Sequence, residues 1–470
     1  MSNIIVAGAG HGGVVAAMKL AQQGHSVTVY EKSSYERLGL PHKDTFDESA
    51  MEFAGLEVPE SWRAPNNIIT IVPLDSEVAP LTLPEDKNAR SLIVERKELI
   101  RHLISLAEEA GVSFVYGEEV LAPVMLGSRV GGIVTSGGVR YCDLVIDACG
   151  VHSPLRRAMP EFTRVQNEPG EFDVLHTYRA YYEKVEGEQE PATRYNIILK
   201  NDGTVGMSWL ITEEDAVDVL IARFRDTDLS GFCEPLNELY EQYGHMGKKL
   251  LRGGLITDIP VRQPLAVFVA DGYAAVGDSA FMTYAVKGSG IAYSLMAGTL
   301  LANALEQDED CLFNCDTLWE YEKAFFRQIG FDACRTALMK NLLPYLTAKE
   351  VSDLFAAKVL TTEDLAELNS GSLGSLLNSQ MISKVKEKLR QLKGMPELRK
   401  KLLDMVVWFG KLTIIEPFFP SKYDRDGVAK WAERYNEFFE AIKYRSFAPR
   451  FVQNRRFCRL KKVGIRQNGG

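Results

Sequence analysis

The chain has 470 residues, a formal net charge of −9 and a hydrophobic content of 46%, values ordinary for a soluble globular protein of two or three domains. No apolar run approaches the roughly 20 residues of a membrane-spanning helix, which excludes that class of protein. The first predicted strand leaves no room for a signal peptide, and the seven cysteines have no metal-ligand spacing, so we expect a cytoplasmic, reducing location and no metal site.

The first 31 residues predict a strand, a glycine turn, a helix and a second strand. Residues 3–7 are apolar and rich in β-branched side chains, as in a buried strand. Residues 14–23 carry apolar side chains at helical spacing, and Gly24 follows as a helix-ending glycine. Residues 26–30 form the second strand, which Glu31 closes.

The turn has the spacing Gly8-x-Gly10-x-x-Gly13. The first glycine permits a tight turn, the second lets the backbone approach a pyrophosphate, and the third lets the helix pack on the strand. The N–H groups of the helix N-terminus then face the phosphates. Glu31 is placed to accept hydrogen bonds from a ribose 2′-hydroxyl and would repel a 2′-phosphate. A glycine-rich turn without a ligand does not explain this acid, so the sequence predicts a dinucleotide site.

Helices and strands continue to alternate as far as residue 159. We expect a helix at 43–53, short β segments at 61–84, a strand at 91–94, a helix at 97–110 and a strand at 112–116. Residues 130–135 and 138–141 predict a hairpin, and residues 144–150 predict a buried strand that runs into a glycine turn.

Residues 160–262 change character and predict a mostly antiparallel sheet. The alternating, aromatic runs are 174–185, 195–199 and 204–210, with the turn Asn201-Asp202-Gly203 between the last two. Helices are expected on this sheet at 215–223 and 235–244. A buried strand at 273–276 and an apolar helix at 291–304 follow, and the chain after Gln307 is helical in pattern.

A second glycine-rich segment, residues 271–290, carries the features of a ligand site. Gly277 lets backbone approach a flat or extended ligand, and Asp278 can accept hydrogen bonds from a polyol. Gly288 and Gly290 open a helix whose N-terminal dipole would stabilise negative charge on a reduced ring.

These motifs together resemble the FAD flavoproteins of the glutathione-reductase type over about residues 1–305. The resemblance is carried by the glycine turn with Glu31, by Glu95-Arg96 before a helix, and by Val276-Gly277-Asp278 with Gly288-x-Gly290-Ile291. The nearest branch is the geranylgeranyl reductase-like group, beside the aromatic hydroxylases and flavin halogenases.

The resemblance implies an α/β fold with a Rossmann-type FAD-binding domain, an antiparallel β-sheet substrate domain and an α-helical C-terminal region. The FAD-binding domain would comprise residues 1–159, with an excursion at about 60–90 toward the substrate domain, and residues 263–305. The substrate domain would comprise residues 160–262, and the helical region residues 306–470.

The same resemblance implies an FAD site assembled from distant segments. The residues assigned to it are Gly8, Gly10, His11, Gly12, Gly13, Glu31, Lys32, Arg96, Val120, Ala148, Gly150, Gly277, Asp278, Gly288, Gly290 and Ile291. Arg96 would lie near the phosphates or ribityl chain, and Val120 would contact the adenine through its backbone. Asp278 would bind ribityl or pyrophosphate oxygens. The alternatives are a surface charge at a helix start for Arg96 and a helix cap for Asp278.

Three departures from the family bear on the reaction. The hydroxylase branch has Asp-Gly where this chain has Cys149-Gly150, which weakens a monooxygenase interpretation and leaves Cys149 as a small buried residue or a redox group. Reductases often carry a cysteine after the second strand, where this chain has His42 and Lys43, candidate proton donors or solvated loop charges. The hydroxylase-type proline before the second glycine pair is missing, and Tyr284 and Lys287 occupy its neighbourhood. Lys287 is a candidate for stabilising an anionic reduced flavin or binding an acidic substrate, with a plain surface lysine as the alternative.

We therefore expect an FAD-dependent oxidoreductase that moves hydride between the flavin N5 and a small hydrophobic, isoprenoid-like substrate. The candidates for the substrate pocket, each with a core role as the alternative, are Tyr181, Tyr182, Tyr195, Met207 and Trp209. The alternatives are a monooxygenase using NAD(P)H and O₂, and an FAD-holding scaffold with little turnover. No second glycine fingerprint is present, so NADH or NADPH would visit transiently or a donor protein would reduce the flavin.

The chain ends in a basic segment. Residues 441–470 contain nine Lys/Arg residues and no acid, interleaved with three phenylalanines. The segment is either a solvated tail or a peripheral contact with an anionic membrane. Nucleic acid is not an expected partner, since no recognition motif accompanies the charges.

Overall fold

A computed structural model of the chain describes residues 1–64, 68–83, 90–165, 167–199, 206–224, 228–369 and 387–462, with the side chains of the last helix described as far as Lys443. Two large β-sheets, two small ones and a helical C-terminal part make up these residues. The predicted turn at 201–203 and most of the basic segment at 441–470 lie outside the described residues or side chains.

The glycine turn belongs to a six-stranded sheet. Its strands, in spatial order, are β18 (Val269–Ala270), β19 (Tyr273–Ala275), β12 (Leu144–Asp147), β1 (Asn3–Ala7), β2 (Ser26–Glu31) and β8 (Ser113–Tyr116). All pairs are parallel except β18–β19. β12 is buried along its whole length, as expected for a parallel strand covered by helices on both faces.

The helices that cover this sheet carry the cofactor motifs at their N-terminal ends. They are α1 (His11–Gln22), α3 (Arg96–Glu109) and α6 (Ile291–Leu305), and α1 packs against both of the others. The shorter helices of this half are α2 (Ser49–Phe53) and α4 (Pro154–Ala158). The predicted parallel sheet, its strand–turn–helix unit and its helices are thus confirmed.

A seven-stranded sheet forms the second layer. Its strands, in spatial order, are β17 (Met246–Pro260), β13 (Val174–Lys184), β16 (Ala216–Arg223), β15 (Gly206–Thr212), β14 (Tyr195–Leu199), β5 (Ile69–Val72) and β6 (Leu81–Leu83). Only the β14–β5 pair is parallel. Helix α5 (Cys233–Gln242) contributes Leu239 to the core cluster on one face of this sheet. The strands β5 and β6 join it from the segment between residues 60 and 90.

Two small antiparallel sheets lie outside the large ones. One contains β9 (Val120–Leu126), β10 (Arg129–Thr135) and β11 (Gly138–Tyr141), which confirms the predicted hairpin. The other contains β3 (Lys43–Asp47), β7 (Ser91–Glu95) and β4 (Arg63–Ala64).

The C-terminal part is helical, as predicted. Its helices are α7 (Cys315–Phe325), α8 (Phe331–Tyr345), α9 (Ala348–Ala356), α10 (Thr362–Asn369), α11 (Pro396–Ile415) and α12 (Arg425–Lys462). A hydrophobic cluster from α9 and α11 packs against Ile71 and Leu199 of the seven-stranded sheet. Within the ranges given above, no helix combines the length and the apolar character needed to cross a bilayer.

Two sequence predictions are wrong. Residues 43–53 are not one helix, because residues 43–47 pair as a strand with β7 and only Ser49–Phe53 is helical. Residues 215–223 are not a helix either: β16 lies between two partner strands and every one of its residues is buried. A strand buried on both faces lacks the alternation that identifies a strand in sequence.

Candidate functional site

The glycine turn packs directly on the loop after β12. Gly8 has φ +90°, and a Cβ there would lie 2.6 Å from the carbonyl oxygen of Ala148. A Cβ on Gly10 would lie 3.0 Å from the same oxygen, and one on Gly13 would lie 2.5 Å from Ala148 Cβ. No side chain fits between the turn and this loop, so the backbone N–H groups at the start of α1 stay accessible to a ligand.

Gly12 has a packing function that the motif does not reveal. A Cβ on Gly12 would lie 2.6 Å from the carbonyl oxygen of Ser294, and one on Gly298 would overlap the carbonyl oxygen of Gly12. Helices α1 and α6 therefore cross at a pair of glycines. This close crossing brings the two glycine-rich segments of the sequence to one place.

Glu31 is buried at the end of β2, and its carboxylate accepts two backbone hydrogen bonds. Ala9 N–H donates to Oε2 at 2.9 Å and Ser33 N–H donates to Oε1 at 2.8 Å. A carboxylate has about four acceptor positions, so two remain for ribose hydroxyls.

A cavity of about 660 Å³ opens beside Glu31. It is lined by Lys32, Ser33, Ser34, Arg37, Gly117, Glu119 and Ser136. Val120, the residue predicted to contact adenine, directly follows this lining. Lys32 and Ser33, which follow Glu31 in the chain, line this cavity, so it offers space next to the predicted ribose acceptor.

The other end of the site is a cluster of partly buried charges. Arg96 Nε donates to Asp44 Oδ2 at 2.5 Å. Burial alone would raise the pKa of Asp44, but attraction from Arg96 and Arg179 outweighs it and lowers that pKa. Burial raises the pKa of Asp278, against the lowering effect of Arg96 and of a hydrogen bond from Thr283. Arg96 is 30% exposed, pairs with Asp44 and acts electrostatically on Asp278.

Two histidines lie in the same cluster and are held neutral. Burial, assisted by Arg96, lowers the pKa of His11 to about 4. Burial, assisted by Arg179, lowers the pKa of His42 to about 3. The backbone carbonyl of His42 accepts from Arg96 N–H at 3.0 Å, which fixes the loop before β3 against α3.

These shifts predict a loss of stability in mild acid. The pKa values in the folded state lie below 6.5, so the unfolded state binds more protons as the pH falls through 6.5. We expect His42 to lower the free energy of unfolding by about 2 kcal/mol between pH 7 and pH 5. Urea unfolding at both pH values, on the wild type and on His42→Gln, measures this.

The variant His42→Gln should lose less stability than the wild type over that interval. A matched control is His152→Gln, since His152 is 47% exposed and should leave the wild-type loss in place. An unchanged pH dependence in His42→Gln would contradict a buried, neutral His42.

Lys43 and the seven-stranded sheet meet at the same cluster. Lys43 Nζ donates to Glu213 Oε2 at 2.7 Å, and Lys43 N–H donates to the hydroxyl oxygen of Tyr181 at 3.1 Å. Arg179 Nη2 donates to the carbonyl oxygen of Lys43 at 2.7 Å. The two predicted proton donors, His42 and Lys43, thus lie between the six-stranded sheet and one face of the seven-stranded sheet.

That face of the sheet is held by a buried ion pair. Arg179 Nε and Nη2 donate to the two oxygens of Asp218 at 3.0 and 2.6 Å, with the side chains 8% and 2% exposed. The Arg179 guanidinium lies 5.0 Å from the ring centroid of Trp209 and 5.9 Å from that of Tyr181. Burial raises the pKa of Tyr195, on which Arg179 and Asp218 also act.

The predicted pocket residues do not all share this face. Because side chains alternate along a strand, Tyr181 lies with Arg179, whereas Tyr182 points into the core cluster under α5. The hydroxyl oxygens of Tyr182 and Tyr178 are 2.7 Å apart there. Tyr182 is a core residue, and the pocket interpretation is wrong for it. On β15, Met207 and Trp209 are two residues apart and therefore lie on the same face of the sheet.

Asp147 joins the loop after β12 to the second glycine segment. It is fully buried, accepts from Cys149 N–H and Ser279 Oγ at 3.0 Å each, and accepts from Tyr273 OH at 2.7 Å. Gly150 N–H donates to Ser279 Oγ at 2.9 Å. A Cβ on Gly150 would meet nothing within 4 Å, so this side of the loop is open.

Cys149 is a partly buried thiol rather than a reactive one. Burial, together with Asp147, raises its pKa well above the usual range, and its Sγ donates to the carbonyl oxygen of Ala7 at 3.3 Å. A thiol so held is a poor nucleophile.

The segment before α6 lies against Asp278 and α8. A Cβ on Gly290 would lie 2.9 Å from Asp278 Oδ1, while Gly277 and Gly288 each have φ +64°. Ile291 is the first residue of α6 and is buried. Lys287 is exposed on this loop, with Nζ 5.3 Å from the ring centroid of Tyr284.

The sequence reasoning missed four residues that organise the site: Asp44, Asp147, Arg179 and Asp218. Asp147 was recognisable as an acid at the end of a buried strand. Arg179 was recognisable as a charge within an apolar strand, which requires a buried partner. Its partner was hidden, because Asp218 lies in the strand wrongly predicted as a helix.

The residues present fit an FAD. His11 Nε2 is buried and has no hydrogen-bond partner among the described residues, as expected of a group that awaits a ligand. The glycine turn exposes backbone donors, Glu31 keeps free acceptor positions, and the cavity continues from it. The opposite end offers Arg96 and Asp278 to an extended, phosphate-containing molecule.

Comparisons with known proteins agree with this arrangement. Residues 1–217 match the family model described as FAD binding domain. The chain is 29% identical over 351 residues to a digeranylgeranylglycerophospholipid reductase of Methanosphaerula palustris, covering 72% of this chain and 84% of the relative.

Solved structures show the same fold. A geranylgeranyl bacteriochlorophyll reductase-like protein from Thermoplasma acidophilum superposes with a TM-score of 0.68 at 18% identity, covering 86% of this chain and 99% of that one. The myxobacterial chondrochloren halogenase, an FAD-dependent enzyme, gives a TM-score of 0.55 at 19% identity over 73% of this chain and 83% of that one.

The fold and the family model together place an FAD-binding domain in residues 1–217 and make the chain similar to FAD-dependent oxidoreductases. The resemblance to geranylgeranyl reductase-like flavoproteins, with a halogenase among the structural neighbours, is confirmed.

Proposed function

We propose that the protein is an FAD-dependent reductase that moves hydride between the flavin N5 and a carbon–carbon double bond of a small hydrophobic, isoprenoid-like molecule. One observation carries the choice of reaction. The relative that aligns with 72% of this chain is a reductase of a geranylgeranyl lipid. The aromatic face of Tyr181, Tyr195 and Trp209, which faces the charged cluster, supports a hydrophobic substrate.

The cofactor would be held along the whole site. The glycine turn and the N-terminus of α1 bind the pyrophosphate, and Glu31 accepts from the adenosine ribose. Lys32 and Val120 border the adenine. His11, Arg96 and Asp278 bind the middle of the molecule. Gly150, Gly277, Gly288, Gly290 and Ile291 line the flavin.

Reduction of a double bond consumes a hydride, which a reduced FAD supplies, and a proton from the protein or solvent. His42 is neutral at pH 7 because its pKa is about 3, so an imidazolium is not the donor. Lys43 Nζ lies at the edge of the cluster and is positioned by Glu213 at 2.7 Å. We assign the proton transfer to Lys43, while Lys287 lies on the exposed loop and stays a second candidate.

The electron donor would be NADH or NADPH binding transiently, or a donor protein. Peripheral membrane contact through residues 441–470 is a further part of the proposal, supported by their nine basic residues. The side chains that would make this contact lie largely outside the described residues.

The proposal predicts oxidation of the reduced flavin by an alkene without oxygen. The FAD-loaded protein is reduced anaerobically with dithionite and mixed with a geranylgeranyl-bearing glycerophospholipid. We expect the yellow absorbance of oxidised flavin to return, and mass spectrometry to show two added hydrogens per double bond. In Lys43→Met, FAD content should stay unchanged while reoxidation slows at least about tenfold, as for a lost general acid.

The saturated phospholipid is the matched control, and it should leave the flavin reduced. Reoxidation only by O₂ with a hydroxylated product would replace the proposal by the monooxygenase alternative. A flavin that no donor reduces would favour the scaffold.

A further inference from the structure

Helix α11 has two apolar faces, and only one of them packs on other parts of the chain within the described residues. The packed face contains Leu398, Leu402, Trp408, Leu412 and Ile415, all buried. On the opposite face lies an exposed apolar stripe, defined here as Leu403, Val406, Val407, Ile414 and Phe418, with exposed fractions of 41, 39, 50, 68 and 53%. Their spacing places them along one side of the helix and its following turn.

The charged side chains that α11 exposes between Leu398 and Ile415 have one sign. Between Leu398 and Ile415 the exposed charged side chains are Arg399, Lys400 and Lys411. The single acid in that interval, Asp404, turns inward and accepts from Tyr345 OH at 2.9 Å. Beyond the helix, the guanidinium of Arg434 lies 3.8 Å from the ring centroid of Phe418. This face of α11 is thus both apolar and cationic, although the chain as a whole has a net charge of −9.

The positive charges beside the apolar stripe favour an anionic partner over a second copy of the chain. In a symmetric dimer through the apolar stripe, Arg399, Lys400 and Lys411 of the two copies would face one another, and like charges oppose such an interface. Residues 441–470, with nine basic residues and no acid, would be repelled for the same reason. An anionic lipid surface accepts aliphatic side chains at the acyl boundary and attracts the bordering lysines.

The position of α11 fits this partner. Its buried face contacts α8, where the ring centroids of Trp408 and Tyr345 are 5.9 Å apart. Helix α8 in turn contacts the loop before α6, since Thr336 Oγ1 accepts from Ala285 N–H at 3.1 Å. Helix α8 therefore lies between α11, which carries the apolar stripe, and the loop before α6.

We propose that the apolar stripe of α11 is a membrane-docking surface for bilayers that contain anionic phospholipid. The surface goes beyond the reductase function and does not depend on it. If the substrate is a lipid, docking through α11 would place the helical wall of its site at the bilayer.

Vesicle flotation of the full chain tests the docking surface without any turnover. We expect the wild type to float with phosphatidylcholine vesicles that contain phosphatidylglycerol, and less with phosphatidylcholine alone. The double variant Val407→Glu/Ile414→Glu should reduce the partition coefficient at least about tenfold, because two inserted aliphatic groups become anions. Its FAD content and thermal unfolding should match the wild type, since both side chains are exposed.

The matched control is Leu126→Glu/Val139→Glu, which makes the same charge change on the small sheet of β9, β10 and β11. The two side chains are 56% and 47% exposed. It should bind vesicles like the wild type. Wild-type-like binding by the α11 variant would overturn the proposal and leave residues 441–470 as the contact. A wild type that ignores anionic vesicles would also overturn it, as would an oligomer that the α11 variant dissociates in light scattering.

Discussion

The variant Glu31→Arg is expected to purify with little or no yellow colour. The substitution removes the carboxylate that accepts from Ala9 N–H and Ser33 N–H and that would accept from the ribose. A hydrogen bond to a charged group is worth about 1.5–3 kcal/mol, so its loss alone lowers FAD affinity by about 10- to 150-fold. The larger cation in the same buried position adds a steric and desolvation cost.

The measurement is a titration of the apoprotein with FAD, followed by flavin fluorescence. Glu57→Arg makes the same charge change at an exposed position and should bind FAD like the wild type. A Glu31→Arg protein that stays fully yellow would remove Glu31 from the site. A wild type that stays colourless with excess FAD would contradict the whole cofactor assignment.

The variant Arg179→Ala is expected to lower the free energy of unfolding by about 3–5 kcal/mol, the cost of leaving one partner of a buried ion pair unpaired. Asp218, 2% exposed, would keep its charge without the two hydrogen bonds from Arg179. Asp44 would lose one of the two cations that lower its pKa. The carbonyl oxygen of Lys43 would lose a donor at 2.7 Å, so the loop before β3 should also loosen.

Urea denaturation measures the change, and a double variant separates charge from packing. Arg179→Met/Asp218→Leu removes both charges and should recover most of the lost stability. The control is Arg252→Ala. Arg252 Nη1 donates to both carboxylate oxygens of Glu95 at 2.9 Å, with the two side chains 35% and 31% exposed. Its loss should cost under about 2 kcal/mol, even with the contact between its guanidinium and the ring of Tyr181. Equal losses in Arg179→Ala and the control would show that the buried pair adds nothing.

The parts of the site with strong local rules were predictable. A glycine turn between a strand and a helix has few other uses at that spacing, and an acid at the end of the next strand extends the pattern. The second segment, with Asp278 and the glycines before α6, was recognised for the same reason. The network of Arg96, Asp44 and Arg179 was not predictable, because its members come from three segments that only folding brings together.

The sequence by itself determined the class of this protein. Backbone sterics set the side-chain periods of strands and helices, which are two and 3.6 residues, and the positions that only glycine can occupy. These effects act among residues that are close together in the sequence. Tertiary structure alone decided that 216–223 is a strand, that Gly12 packs on Gly298, and that one face of α11 is exposed in the part of the chain that the structure describes. Each of these depends on contacts between segments far apart in sequence, whose energies no local pattern records.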